Sequence, residues 1–380
     1  MDAFYASVEL LRYPHLRGLP VVIGGRITTQ PLVERNGGRH TLLREYRGRG
    51  VVTTATYEAR TLGVHSAMGL MKAASLAPDA ILLPADFDQY RHYSQRFKSA
   101  VATIAPAIED RGIDEIYIDL TEVAGETVPL GQRIKDAVHN ATGLSCSIGI
   151  APNKLLAKVA SELDKPDGLT NLSLADLPDR VWPLPVSRLN GIGPKSSARL
   201  EALGIRTLGE LANVSPGFLM SQFGERHGRW LSDVAHGLDR SPVVTLREPR
   251  SLSRETTFER DLHPIEDRPA LSRILLDLCE RLHSDLTHKG YLGRTIGIKL
   301  RFEDFQTLTR ELTLDTATAE VELIRQAARA CLRRIALDKR IRLLGIRIGS
   351  LSPIASDLEK PGSSRDTKPT EAHRNLPLFD

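Results

Sequence analysis

The chain has no apolar run approaching the roughly 20 residues that a membrane-crossing helix needs, which excludes a helical membrane protein. Cysteine is scarce: Cys146, Cys279 and Cys331 stand far apart in 380 residues, without CxxC spacing. Three such scattered thiols cannot all pair. They exclude a disulfide framework and a zinc site of the usual spacing, and they point to a reducing, cytoplasmic setting. The opening residues, Met1-Asp2-Ala3-Phe4-Tyr5, lack the basic-then-apolar layout of a secretion signal. No GxxxxGK[ST] stretch occurs, which disfavours a P-loop nucleotide hydrolase. Net charge is small too, +4 from 51 basic and 47 acidic residues, and it does not demonstrate a nucleic-acid partner.

What is present is an ordinary soluble composition, 41% hydrophobic and 26% charged, in a chain long enough for roughly two to four domains. The placement of charge is uneven. Residues 241–350 carry 20 Lys/Arg against 16 Asp/Glu, a surplus of four that equals the net charge of the whole chain. A solvated basic surface accounts for this as well as a phosphate-tracking face does.

Three joints divide the sequence. Asp164-Lys165-Pro166-Asp167-Gly168 follows a helical pattern from Lys154 to Leu163, Leu238 to Arg250 is polar with little periodicity, and from Ser352-Pro353 onward the composition is that of a flexible tail. Between the second and third joints the pattern predicts a strand over 251–258, a helix from Pro269 to Lys289, strands over Thr295–Phe302 and Thr307–Leu314, a helix from Glu320 to Leu337 and a strand over Ile341–Ile348. Ile296, Ile298, Leu300 and Phe302 alternate there with Gly297, Lys299 and Arg301. This β-α-β-β-α-β order predicts one sheet with both helices on one face, and Lys299, Arg301 and Arg347 on the other. Residues 173–240 read as short helices. Within them Gly191-Ile192-Gly193-Pro194-Lys195 predicts a tight hairpin whose amides, helix start and Lys195 suit a phosphate. A plain glycine turn is the alternative.

The sharpest chemical signal is Gly112-Ile113-Asp114-Glu115-Ile116-Tyr117-Ile118. Adjacent carboxylates among β-formers repel unless a divalent cation neutralises them, although an exposed acidic turn is the plain reading of such a pair in isolation. Phosphate-type donors shift the balance. Thr54, Tyr57 and Arg60 fall within one short run, with Tyr57 and Arg60 on a shared face if a helix starts there, and Lys165 adds a point charge.

Several independent stretches, in order over about residues 1–350, resemble the Y family of translesion DNA polymerases, in particular its bacterial branch. They are Met1-Asp2-Ala3-Phe4-Tyr5-Ala6-Ser7-Val8-Glu9, Thr54 with Tyr57 and Arg60, Asp114-Glu115, Cys146-Ser147-Ile148-Gly149-Ile150-Ala151 with Lys154 and Lys158, and the turn at 164–168. The resemblance implies an α+β, right-hand polymerase fold. Its ferredoxin-like palm would comprise residues 1–2 and 86–172, and its small fingers 3–85, with an insertion at about 25–50. A helix-hairpin-helix thumb (173–240) and a linker (241–250) would lead to a β-α-β-β-α-β little finger (251–352), and 353–380 would be a tail.

The resemblance also implies roles. Asp114 and Glu115 would hold two Mg²⁺ ions, with Glu115 also the customary catalytic acid residue. Tyr5 would be the steric gate against a ribose 2′-hydroxyl, and Phe4 would pack beside the sugar. Thr54, Tyr57, Arg60 and Lys165 would hold the triphosphate of a deoxynucleotide. Gly191, Gly193, Lys195, Lys299 and Arg301 would grip primer-template DNA. Synthesis would be error-prone and without proofreading. At the C-terminus, Leu376, Leu378 and Phe379 resemble the peptide that docks bacterial polymerases on the sliding clamp, with Asn375 where Gln is usual. A monomer without a membrane partner is expected.

The family pattern also implies a first metal-binding aspartate immediately before Met1, at the end of an apolar palm strand. Asp2, the second acid of that pattern, would face the same side. That departure supports one rival from another class, a non-catalytic relic that binds DNA or the clamp. Retention of Tyr5, Arg60, Asp114, Glu115 and Lys165 together argues against it. A nucleotidyl cyclase has no use for the hairpin or the basic module, and a metal-dependent nuclease needs a His or further acids near the pair. The insertion carries Arg44, Arg47 and Arg49, which would either touch template or nucleotide or lie in a solvated loop.

Overall fold

The computed structural model describes residues 1–25, 33–35 and 38–354, and the side chains of residues 33–35, 38 and 39 are not considered. The chain divides into two compact units, Met1–Leu246 and Arg247 onward.

The first unit opens with α1 (Phe4–Arg12), followed by β1 (Val21–Gly24), β2 (Val33–Arg35), β3 (Gly38–Leu42), β4 (Val52–Ala55), α2 (Tyr57–Thr61), α3 (Leu70–Leu76) and β5 (Ile81–Leu83). These strands form one sheet in the order β2-β3-β5-β1-β4. All four residues of β1 and all three of β5 are buried, because α1 covers one face and the second helical layer covers the other. Arg44, from the inserted stretch, pairs with Asp79, and Arg47 donates to the carbonyls of Arg44 and Tyr46 at 2.8 Å. Both arginines are thus spent on local structure.

Next come α4 (Phe87–Ala102), β6 (Ile108–Asp110), β7 (Ile116–Ile118), α5 (Thr127–Thr142), β8 (Ile148–Ile150), α6 (Lys154–Leu163) and β9 (Leu169–Asn171). Tyr90, Ser94, Phe97 and Val101 are buried at helical spacing on α4, and Leu130, Ile134 and Val138 on α5. The strands are short and pair only as β6-β7, antiparallel, and β8-β9, parallel. α6 lies directly on β8 at Gly149: a Cβ there would meet the Ala157 carbonyl oxygen at 2.1 Å, so only glycine permits the approach.

The unit ends in α7 (Pro194–Ala202), α8 (Leu208–Ala212), α9 (Pro216–Phe223) and α10 (Glu225–Ala235), packed around Leu200, Leu208, Leu211, Leu219 and Leu231. Gly191 has φ +103° and faces Trp230, whose ring a Cβ would meet at 2.7 Å; both reasons exclude a larger residue.

The second unit runs β10 (Ser251–Leu262), α11 (Arg268–Lys289), β11 (Tyr291–Phe302), β12 (Thr307–Thr318), α12 (Val321–Leu332) and β13 (Ile341–Pro353). Its sheet is antiparallel throughout, in the order β10-β13-β11-β12. Ile296, Ile298, Leu300 and Phe302 point into a core shared with Leu271, Leu275, Leu278, Leu282, Ile324 and Cys331 from the two helices. β11 starts four residues earlier than periodicity predicts. A register shift between Gly293 and Thr295 lets it keep pairing while the alternation breaks. The fold is therefore α+β, with the expected order of elements in this unit.

Candidate active site

Asp114 and Glu115 stand immediately before β7, and the turn that carries them is tied down by polar contacts. Lys98 Nζ donates to Asp110 Oδ2 and to the Gly112 carbonyl, both at 2.7 Å, the Gly112 amide donates to Asp110 Oδ1 at 3.1 Å, and the Arg111 amide donates to the Glu115 carbonyl at 3.1 Å. Both carboxylates remain half-buried. Lys158 Nζ lies 3.4 Å from Glu115 Oε1.

A second approach comes from the chain start. Met1 donates its ammonium to the Asp114 carbonyl at 2.9 Å, and the Asp2 amide donates to Ser145 O at 3.2 Å. Burial holds the Met1 amine below its ordinary pKa, against the pull of Asp114. Ala3 then takes a left-handed conformation, φ +41°, a costly one for a residue with a Cβ, and turns the chain into α1. That turn presents Tyr5, whose ring is held by Tyr90 at 4.4 Å, Phe4 at 5.6 Å and Phe87 at 5.8 Å between centroids. Phe4 itself is 2% exposed and packs edge-on against Tyr90 and Phe97. It supports Tyr5 from below.

Asp2 is held inside the structure. It is 2% exposed, its Oδ1 accepts from Ser147 Oγ at 2.7 Å and its Oδ2 from the Asp167 amide at 2.9 Å. Its carboxylate thus ties the chain start to Ser147 and to the 164–168 turn.

The phosphate-type donors converge from a different part of the chain. β4 delivers Thr54, and Thr56 caps α2 by accepting from the Ala59 amide at 3.4 Å. One helical turn then sets the Arg60 guanidinium 4.9 Å from the centre of the Tyr57 ring, the shared face expected from their spacing. Arg60 Nε donates to the Ala55 carbonyl at 3.0 Å, which fixes its stem, and Nη2 reaches Thr54 Oγ1 at 3.5 Å. Lys165 Nζ is held by Glu162 Oε1 at 2.6 Å.

Tyr5, Phe4, Thr54, Tyr57, Arg60, Asp114 and Lys165 line one cavity of about 410 Å³. Glu162, Ser66 and Arg188 line it too, and sequence reasoning missed all three; only Glu162, three residues before Lys165 at the end of α6, carried a readable signal. A larger space of about 790 Å³ adjoins it between β7 and β8, floored by Phe97, Val101, Ile134 and Val138, and the two share Met1, Asp114 and Lys165. The carboxylates of Asp114 and Glu115 are hard oxygen donors and fit a divalent cation of the Mg²⁺ class. Among the described residues no group of three His, Cys, Asp or Glu stands ready to hold a metal.

Another missed group lies behind the pair. Glu109 is 1% exposed; Lys154 Nζ donates to its Oε2 at 2.8 Å, the Val244 amide to the same oxygen at 3.0 Å and Arg111 Nη1 to Oε1 at 3.2 Å. Burial pushes its pKa up, but Lys154, Val244 and Arg111 outweigh burial and bring it down to about 2.

The hairpin places Gly191, Gly193 and Lys195 at the surface, with Ile192 buried and Pro194 opening α7. In the second unit Lys299 and Arg301 share the face opposite the helices, but as paired groups: Lys299 Nζ donates to Glu255 at 2.8 Å and Arg301 Nε to Thr307 Oγ1 at 3.0 Å. Arg347, on the same face, pairs with Glu311 at 2.8 Å. Leu376, Leu378 and Phe379 lie outside the described residues.

Comparison with known proteins places this arrangement. The impB/mucB/samB family matches residues 1–162, its C-terminal domain residues 249–360, and the helix-hairpin-helix motif of the same family residues 175–205. DNA polymerase IV of Halorhodospira halophila is 38% identical over 93% of this chain and 94% of its own. That of Alkalilimnicola ehrlichii is 36% identical over 94% and 95%. This chain belongs to the DNA polymerase IV family. A solved Y-family DNA polymerase chimera covers 92% of this chain and 96% of its own with a TM-score of 0.77; at 24% identity it bears on the fold alone. Polymerases of the family depend on divalent metal, in keeping with the paired acids. No helix among the described residues is long and apolar enough to cross a membrane.

Proposed function

We propose that this chain carries out template-directed DNA synthesis across damaged DNA, as a nucleotidyltransferase without proofreading. The observation that carries the reading is the single 410 Å³ cavity. A half-buried carboxylate, an aromatic ring and the Thr, Tyr, Arg and Lys donors meet there from segments separated by more than a hundred positions.

In this reading Asp114 and Glu115 hold two Mg²⁺ ions, which when bound would activate the primer 3′-hydroxyl and neutralise the leaving pyrophosphate. Thr54, Tyr57, Arg60 and Lys165 donate to the triphosphate and orient it. Tyr5, braced by Tyr90 and Phe4, fills the place of a ribose 2′-hydroxyl and excludes ribonucleotides. Residues 3–85 serve as fingers, 1–2 with 86–172 as palm, 173–240 as thumb and 251–352 as little finger. The hairpin amides of Gly191 and Gly193, with Lys195, take a backbone phosphate. Lys299 and Arg301 exchange Glu255 and Thr307 for the phosphates of primer-template DNA.

The C-terminal Leu376, Leu378 and Phe379 would anchor the enzyme on the bacterial sliding clamp and raise its effective concentration at the primer end. Deleting 376–380 should then weaken clamp binding. A monomer working in the cytoplasm suits three free, buried thiols, and a solution mass near 41.9 kDa is expected. The reading is tested by primer extension with Mg²⁺ and all four deoxynucleotides. Asp114→Ala or Glu115→Ala should lower extension by about 100-fold or more while primer-template binding stays nearly unchanged. Substantial synthesis by either variant would make the pair structural.

A further inference from the structure

A carboxylate stands where a polyanion is meant to bind. Glu162 lines the 410 Å³ cavity beside Arg60, Lys165 and Arg188. One of its oxygens, Oε1, accepts from two lysines at once, Lys165 Nζ at 2.6 Å and Lys158 Nζ at 3.0 Å. Lys158 in turn lies 3.4 Å from Glu115. The four groups make a chain, Lys165–Glu162–Lys158–Glu115, that runs from the triphosphate donors to the acidic pair. Each is between about a quarter and two-fifths exposed: Lys158 24%, Lys165 26%, Glu162 37% and Glu115 38%.

A fixed negative charge repels phosphate oxygens, so Glu162 disfavours the ligand unless it serves the lysines. Its position suggests how. Glu162 stands in the last turn of α6 and Lys165 in the turn just beyond the helix, close enough for its ammonium to reach the carboxylate, while Lys158 meets Glu162 from one helical turn earlier at i−4. Lys165 faces a counter-ion at the end of the adjoining helix. With a triphosphate in place, the same ammonium has a stronger acceptor, and the carboxylate loses its partner.

We infer that Glu162 is a resident counter-ion that competes with the nucleotide triphosphate for Lys165, and so sets nucleotide affinity as a positioning residue. This rests on the assignment of Lys165 to the triphosphate. Removing the charge should tighten binding of any triphosphate, whatever its base, because the competition involves phosphate oxygens alone. The gain should be about twofold to fivefold, the range that a part-exposed ion pair supports.

The test is binding of inorganic tripolyphosphate, measured by calorimetry without divalent metal, to the full-length wild type and to Glu162→Gln, Glu162→Ala, Lys165→Met and the Glu162→Gln/Lys165→Met pair. Tighter binding by both Glu162 variants, lost when Lys165 is Met, supports the inference. Unchanged or weaker binding by the Glu162 variants overturns it, as does a gain that persists without Lys165. If Lys165→Met binds tripolyphosphate as well as wild type, the triphosphate assignment of Lys165 itself fails. In primer extension the same Glu162 variants should show a fall in nucleotide KM larger than any change in kcat, a split that a merely structural role would not produce.

Discussion

The two units hold their charges in opposite ways. In the second unit the sheet strands are 12 or 13 residues long, the core is apolar, and the charged groups Lys299, Glu255, Arg347 and Glu311 pair on an exposed face. In the stretch from α4 to β9 the strands are three residues long, and charged groups tie it together from inside: Glu109 is almost fully buried within it, and so is Asp2, which bonds to it at Ser147 and Asp167. Long ladders set register by alternation alone. Three-residue strands cannot, so their placement depends on polar contacts between residues far apart in sequence. The acidic pair Asp114 and Glu115 is thus placed by the second kind of structure, and the open charged face of β11 by the first.

That contrast can be broken in order of size. Leu300→Ala removes a fully buried side chain from the middle of the long sheet and should cost about 2–5 kcal/mol. Thermal unfolding of the second unit should shift down, while the acidic pair's surroundings stay intact. Glu109→Gln strips the carboxylate from Lys154 and Arg111 and should cost about 2 kcal/mol, less than a wholly buried pair because Arg111 reaches solvent. It should also slow primer extension by loosening the hairpin before Asp114; normal extension would confine Glu109 to stability.

The pH dependence follows from the same group. The folded-state pKa of Glu109, about 2, lies below the ordinary glutamate value of about 4.3. Its contribution is complete above the unfolded value and is lost as pH falls through the folded one. The first unit should therefore lose stability between about pH 4 and 2 more steeply in wild type than in Glu109→Gln, as read by acid titration of circular dichroism. On the exposed face, Lys299→Ala should cost less than about 1 kcal/mol of stability yet lower DNA affinity and reduce its salt slope by about 1. The smallest effect expected is no effect. Burial pushes the thiols of Cys279 and Cys146 up to about 12 and about 11, so native protein at pH 8 should resist alkylation at both until it unfolds.

Legibility in the sequence followed the same division. The 295–302 alternation of aliphatic and polar residues named the buried and open faces of β11 before any coordinates, because period two is a direct consequence of strand geometry. Tyr57 and Arg60 could be placed on one face for the equivalent helical reason. By contrast, β10 and β12 run four residues further than expected, since their ends pair across irregular register rather than by alternation. The helix expected over 320–337 stops at Leu332, where aliphatic spacing continues into a turn that still packs against the core.

The sequence by itself determined the order of elements in the second unit, the face that β11 buries, the adjacency of Asp114 and Glu115, and the shared face of Tyr57 and Arg60. Those properties are local, written in periods of two and 3.6 and in short motifs. Only the tertiary structure decided that Asp2 is buried and bonded to Ser147 and the Asp167 amide, that Glu109 anchors the segment behind the acidic pair, and that Glu162 lines one cavity with Arg60 and Lys165. Each of these depends on which distant groups share a desolvated space, and no spacing along the chain records that.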